Sequence, residues 1–559
     1  MVAVLVAFTA VRHRSGVPPE WAAPQVRTLP HIPVAQTNIG EVPPRIGSLG
    51  AHIGVRFIDT YFYIYSRWRV DKPAEMFDRD YEWSALTRFI GDEQPGATLG
   101  VVSGRRRQGK TFLLDAACRA EGGFYFGATE AADAESLRRI STALTAHVRP
   151  ASPYHFAHWA EAVDALLALG SERPVPVVID EFPYLVRANP ELPSIIQEAF
   201  RPLREQRTAS RARLLLCGSA LSFMGKLLSG NAPLRGRAGL ELVVRPLDHR
   251  LAAEFWNITD PRLALQVNAI VGGTPAYRRE FARGDSPNGP DDFDAWVVRT
   301  VLNPETPLFR EARYLLAEEP DLRDTALYLS VLAAVADGNA TRGGMAGYLE
   351  RKATDIAHPI NVLEDAGLLH RDADAFRDNR PTYRIAEPLI GFYHAIMRPV
   401  WDQLERPGSA ARVWQASRRR FTSNVLGPHF EQVCRDWTLH HADPDLLGGL
   451  PARVGHGVVH DPKARTGHEI DVAVVGIADG GKPPLLAIGE AKWNDTMGIA
   501  HVDRLRHIRD LITQAGRYDT TRTQLICFSG AGFNDKARIT ADTTPGIQLI
   551  DLAALYGQA

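Results

Sequence analysis

Cysteine is scarce in this chain. Only four occur in 559 residues, Cys118, Cys217, Cys434 and Cys527, and none stands in CxxC or CxxH spacing. That argues against a disulfide framework or a structural zinc site and fits a reducing, cytoplasmic setting. Cys217 sits in an apolar run and reads as a small core residue. Long apolar runs are also missing. None reaches the roughly 18 residues a spanning helix needs, so no membrane association is expected. The apolar start over residues 1–11 lacks a basic flank and does not read as a signal peptide. Net charge is nearly absent, at -1. Overall charge therefore gives no sign of nucleic acid or membrane binding, and any basic surface must be local. There are no internal repeats and no low-complexity tract.

What is present is ordinary globular material, 45% hydrophobic and 23% charged. The length suggests about three or four domains. Residues 1–70 carry Pro18, Pro19, Pro24, Pro30, Pro33, Pro43 and Pro44, which break every long element. They read as a poorly ordered extension or a misassigned start, with no function placed there. Over residues 71–250, short apolar runs at 98–103, 124–126, 176–179 and 214–217 alternate with helical stretches such as 111–119. Continuous apolar strands of this kind make a parallel sheet covered on both faces. Residues 251–320 read as a helical lid and 321–400 as a further, mostly helical unit. A linker with Pro399, Pro407 and Gly408 then leads to a basic stretch from Arg412 to Arg420. Residues 401–559 form a second α/β unit, with a helix at 427–440, strands at 470–475, 485–488 and 524–528, and a helix at 502–514.

Between the first strand and its helix stands Gly104-Arg105-Arg106-Arg107-Gln108-Gly109-Lys110-Thr111, a full GxxxxGK[ST] match. Glycines let such a loop wrap phosphate oxygens, and the helix N-terminus adds free N–H groups and positive potential. Lys110 is expected to reach the β- and γ-phosphates of ATP, and Thr111 to hold Mg²⁺. The apolar run Val177-Val178-Ile179 ends in Asp180-Glu181, the Walker B pattern. Asp180 is expected on Mg²⁺ and Glu181 on the attacking water. Ser219, after the next strand, reads either as a γ-phosphate sensor or as a helix N-cap.

These motifs, taken in order, resemble the AAA+-like ATPases described first in archaea, which are related to STAND-type signalling ATPases. The resemblance rests on Phe77-Asp78-Arg79-Asp80-Tyr81-Glu82 ahead of the first strand, on the P-loop with its arginines, and on Asp180-Glu181-Phe182-Pro183-Tyr184-Leu185. It continues through Gly218-Ser219, Pro233-Leu234-Arg235-Gly236-Arg237 and Gly272-Gly273-Thr274-Pro275-Ala276-Tyr277. Gln108 departs from the small or apolar residue common there, at a position expected to contribute mainly backbone. The resemblance implies a γ-phosphate-facing arginine at Arg235 or Arg237, with Arg237 in the family position; a surface pair is the alternative. It also implies a winged helix over residues 321–385. Its helices would be 327–336, 344–351 and a recognition helix at 356–366, followed by a wing at 368–383 near Arg371, Arg377, Arg380 and Arg384. Tyr383-Arg384-Ile385-Ala386-Glu387-Pro388 and Gly391-Phe392-Tyr393 resemble the family's close. The recognition helix offers His358 and Asn361 but also Asp355, Glu364 and Asp365, a poor set for phosphates and base edges. A lid or protein-contact role stays open beside DNA contact.

In the last unit, Asp471 opens one strand and Glu490-Ala491-Lys492 ends the next. Glu490 and Lys492 are two apart and share a strand face. Asp471 and Glu490 suit a shared Mg²⁺, and Lys492 suits positioning or activating water beside it. Glu431 is the expected third acid, with Gln514 a weaker addition. This pattern is that of PD-(D/E)xK nucleases, and the family's C-terminal domain is similar to that fold. The expected fold class is α/β throughout: an AAA+-like P-loop sheet, helical lid and winged helix, then a restriction-endonuclease-like domain. The expected function is an ATPase using ATP and Mg²⁺ to control a nuclease-like domain that acts on or binds nucleic acid, DNA ahead of RNA. The alternative is a STAND-like signalling or transcription switch with an inactive C-terminal domain. A homo-oligomer or a protein partner fits either.

Overall fold

The computed structural model describes residues 71–317, 325–377 and 380–558. The expected extension at 1–70 lies outside the described residues, as does the 320/321 boundary. All described residues belong to one compact unit.

The first sheet has five parallel strands in the order β2-β3-β4-β1-β5. They are β1 (Thr98–Ser103), β2 (Phe124–Gly127), β3 (Val175–Asp180), β4 (Ala212–Gly218) and β5 (Ala238–Val243). Every residue of β3 and β4 is buried. That is why their sequences are apolar without alternation: helices cover both faces. β5 escaped the sequence reading. It is an edge strand, AGLELV, buried only at Leu242, so it shows no continuous apolar run. Because all five strands run the same way, the loop after β1 and the ends of β3 and β4 lie along one edge of the sheet. This is the P-loop NTPase type of sheet, and β4 separates the P-loop strand from the Asp180 strand.

After helices His249–Trp256 and Pro261–Val271 come Thr325–Ala336, Arg342–Tyr348 and Ala357–Asp365. An antiparallel pair follows, β6 (Leu369–Asp372) and β7 (Thr382–Ile385). The expected linker is not a free one. Arg398–Val400 and Trp401–Leu404 are helical turns, and the Trp401 ring lies 4.5 Å from that of Phe309. The basic stretch is a helix, Ala410–Phe421, that buries Val413, Trp414 and Phe421 while Arg418 pairs with Asp294 and Arg420 with Asp337. A continuous cluster of buried apolar side chains joins Leu247 to Leu555, so the boundary at 400/401 does not divide the core.

The last sheet is mixed, in the order β12-β11-β10-β9-β8. β8 (Pro451–Asp461), β9 (Thr466–Gly476) and β10 (Leu485–Lys492) are antiparallel neighbours. β11 (Gln524–Ser529) and β12 (Ile547–Asp551) continue in parallel from β10. Helix Ile499–Ala515 makes the crossover from β10 to β11. Among the described residues no helix is long and apolar enough to cross a membrane.

Candidate functional site

The loop after β1 closes on itself around residues that cannot be bulky. Gly104 has φ +153°, and a Cβ there would lie 2.4 Å from the Val244 carbonyl oxygen. Gly109, at φ 86°, is the left-handed residue from which helix Lys110–Ala120 starts. The helix therefore aims its first N–H groups into the loop. Lys110 is only 5% exposed. Its Nζ donates to the Arg105 carbonyl at 2.8 Å, inside the loop. Burial lowers its pKa, against the pull of Cys217, Glu181 and Asp180.

Hydrogen bonds link the two motifs. Thr111 Oγ1 donates to Asp180 Oδ2 at 2.8 Å, and Tyr125 donates to the same oxygen at 2.6 Å. The Glu181 N–H donates to Asp180 Oδ1 at 2.9 Å, and Ser219 Oγ donates to Glu181 Oε1 at 2.8 Å. Burial alone would raise the Asp180 carboxyl. Bonds from Cys217, Tyr125, Thr111 and the Glu181 N–H outweigh it and hold the pKa below the usual range. Asp180 is thus a committed anion. Ser219 does not cap the helix that follows, whose cap residue is Ala220; its hydroxyl serves Glu181. A cavity of about 500 Å³ opens here. Gly109, Lys110, Thr111, Glu181 and Ser219 form its polar end, and Met76, Phe77, Leu247, Phe255 and Pro275 an apolar wall.

The four x positions of the motif do more than supply backbone. Arg105 pairs with Glu387, which is 2% exposed, and Arg107 Nε pairs with Glu311, also 2% exposed, at 2.9 Å. Arg106 donates to the Tyr184 hydroxyl at 3.3 Å. Gln108, expected to matter through its backbone, is buried and donates from Nε2 to Thr274 Oγ1 at 3.0 Å. That bond ties the P-loop to the Gly272–Tyr277 motif. Neither Arg235 nor Arg237 lines the cavity. Arg235 donates to the Gly230 carbonyl at 2.7 Å in an exposed turn, and Arg237 is half-buried two residues on. The cavity instead contains Arg79 and Arg279, which the sequence reading did not single out. Arg79 carried a signal of a kind, since it stands in the Phe77–Glu82 box ahead of the first strand; the structure makes it the N-cap of helix Asp80–Ile90.

The C-terminal residues also converge. The Asp471 Oδ2 atom accepts the Ala491 N–H at 2.9 Å. Lys492 Nζ lies 3.5 Å from that oxygen and 3.2 Å from Glu490 Oε1. Burial opposes the Lys492 charge, but Asp471 and Glu490 outweigh it and raise its pKa. Glu431, from helix Gly427–His440, is pushed up to about 7 by burial and then by Asp471, although 38% of its side chain is exposed. Two partners were not foreseen. Arg504 Nη1 holds Glu490 Oε2 at 2.8 Å, and Arg435 donates to the Asp471 carbonyl at 2.9 Å. Gln514 does not join them; it is exposed near the far end of the helix that carries Arg504.

The expected wing is not a free surface. Ala375 is 1% exposed and packs in the core of the last sheet. Its N–H donates to the His456 carbonyl at 2.7 Å, and its carbonyl accepts from Tyr518 at 2.8 Å and Arg453 at 2.9 Å. Arg384 is spent on Asp372, at 3.0 Å. The β6–β7 loop is therefore a dock onto β8.

No protein-family model matches the chain. An uncharacterized protein of Methanocaldococcus jannaschii is 24% identical over 422 residues, covering 75% of this chain and 87% of that protein. Among solved structures, the Walker-type ATPase of Pyrococcus abyssi aligns at 20% identity and a TM-score of 0.44, over 58% of this chain and 97% of its own. The Aeropyrum pernix ORC2 protein, in its ADPNP-ADP complexes, aligns at 17% identity and a TM-score of 0.38, over 63% of this chain and 98% of its own.

Proposed function

We propose that this chain binds and hydrolyses ATP with Mg²⁺ at residues 104–111, and that its nucleotide state controls a nuclease-like domain over residues 401–559. The observation that carries the first half is the bonded series Thr111–Asp180–Glu181–Ser219 beside Lys110, of which Thr111, Glu181, Ser219 and Lys110 line a cavity of about 500 Å³ with Asp180 buried behind them. The donor set fits the cofactor. Thr111 and the anionic Asp180 offer hard oxygens side by side, as Mg²⁺ prefers. When bound, Mg²⁺ supplies positive charge between phosphate oxygens. Lys110 would leave the Arg105 carbonyl for a phosphate oxygen. Glu181, oriented by Ser219, would align a water and accept its proton. Phe77, Phe255 and Pro275 would exclude water from the base side.

The second half is supported by Asp471, Glu490 and Lys492 meeting on neighbouring strands, with Glu431 beside them from helix Gly427–His440. With a raised pKa, Lys492 stays protonated at neutral pH. It would position water or a phosphate oxygen of a nucleic acid, DNA before RNA, rather than remove a proton. Control is supported by contact. The P-loop meets residues 367 and 387 through Arg105, and the β6–β7 loop docks on β8.

The test measures binding and turnover together. Lys110→Ala should abolish ATP binding. Glu181→Gln should keep binding and lower turnover by about 10²–10⁴-fold. Mg²⁺-dependent cleavage of DNA should vanish in Lys492→Ala; cleavage by neither form removes the nuclease half.

A second reading, a slow STAND-like switch with a passive C-terminal domain, is favoured by one contact. Arg504 already neutralises Glu490, the expected metal ligand. Tight ATP retention with turnover indifferent to DNA would select it.

A further inference from the structure

Two imidazoles and a carboxylate from three elements meet in the last domain, apart from the acidic cluster. Asp461 ends β8, His468 lies near the start of β9, and His507 is on helix Ile499–Ala515. One donor atom from each lies within 4.8 Å of the others. His507 Nε2 is 3.2 Å from Asp461 Oδ2. The His468 and His507 rings meet edge to face with centroids 5.3 Å apart. The Asp461 side chain is 7% exposed. Its Oδ1 accepts the backbone N–H groups of Lys463 at 2.8 Å and Ala464 at 3.0 Å. Those bonds fix the carboxylate and leave Oδ2 toward the histidines, as outer supports do for metal ligands. His468 Nε2 is buried and has no hydrogen-bond partner among the described residues. A buried polar atom without a partner calls for an explanation, and a metal bond would supply one.

We propose that Asp461, His468 and His507 bind a divalent transition-metal ion, Zn²⁺ in the first instance. Two imidazole nitrogens with one carboxylate oxygen suit Zn²⁺, and Co²⁺ as its spectroscopic stand-in, where Mg²⁺ prefers oxygen alone. Tetrahedral bonds of about 2.0–2.1 Å place donor atoms about 3.3 Å apart. One pair already has that spacing. The other two both involve His468 and close by at most about 1.5 Å, through small side-chain rotations of His468 and of His507, which is 52% exposed. His507 also leaves the solvent side open for a water as fourth ligand. The ion fastens the helix that carries Arg504 to the hairpin that carries Asp471, and so steadies the acidic cluster without touching it. The site shares no residue with that cluster and stands whether or not the nuclease-like reading does.

The test uses the full chain, stripped with chelator and titrated with ZnCl₂ against a chromophoric competitor. The expected result is one tight Zn²⁺ per chain with a raised melting temperature, and tetrahedral Co²⁺ absorption bands when Co²⁺ replaces it. His507→Ala, at an exposed position that leaves folding intact, should weaken binding by about 10-fold or more and remove the Co²⁺ bands. His468→Ala should do the same. A D471N/E490Q double variant should keep the site. Absence of binding up to about 100 µM Zn²⁺ would overturn the proposal. So would unchanged affinity in both histidine variants, or loss of the only tight site in D471N/E490Q.

Discussion

Glu181 owes its position to one neighbour. Its own φ of 51° puts it in the left-handed region, at the cap of helix Phe182–Ala188, and the Ser219 hydroxyl donates to its carboxylate. Ser219→Ala should leave ATP affinity within about twofold and reduce turnover by about tenfold, read from single-turnover rates, because an unpositioned base loses much of its advantage. His394 tells a different story at the same scale. It is 3% exposed, neither ring nitrogen has a partner among the described residues, and burial, with Arg398 second, pushes its pKa down to about 3. An unfolded histidine protonates near 6.5. Between 6.5 and 3 the unfolded state therefore binds the extra proton, so stability is complete above 6.5 and falls as pH drops, by about 1.4 kcal/mol per unit. His394→Phe should flatten the acid limb of melting temperature against pH between 6.5 and 4. Site residue types were legible in the sequence because spacing along one loop or strand fixes which side chains share a face. Arg279, Arg435 and Arg504 were not, because they reach their sites by folding from distant segments.

Among the elements, the P-loop is bound on several sides. Arg105 joins it to Glu387 ahead of helix Pro388–Phe392, Arg107 joins it to Glu311 in helix Pro307–Ala317, and Gln108 joins it to Thr274. Both glutamates are 2% exposed. Removing one partner of a buried pair leaves an uncompensated charge, at about 3–5 kcal/mol, whereas replacing both is far milder. Glu387→Gln should therefore lower unfolding free energy by about 3 kcal/mol in urea, and an Arg105→Met/Glu387→Met pair should recover most of it. Strands were legible where they are buried on both faces. β5 and β8 were missed, because strands with exposed faces carry no unbroken apolar run. β12, buried only at Ile547 and Ile550, likewise has no unbroken apolar run.

Across the whole molecule, one contact series runs from Arg105 through residues 367–387 to the last sheet. Its weakest joint for a test is Ala375, buried against that sheet. Ala375→Asp places a charge in an apolar contact. It should raise amide exchange in Pro451–Asp461 and uncouple that strand's exchange from added ATP, while ATP affinity at the P-loop stays within about threefold. Persistence of the ATP response in that variant would show that the route lies elsewhere.

The sequence by itself determined the nucleotide motif, its strand-loop-helix setting, the Asp-Glu strand end and the ExK strand, because these are local and each depends only on backbone periodicity. Only the tertiary structure decided that Arg237 stands away from the cavity, that Gln108 acts through its side chain, that the wing is a dock and that Arg504 faces Glu490. The physical reason is the same in each case. A side chain's partner is set by which distant elements share a core, and that core runs from Leu247 to Leu555 without a break.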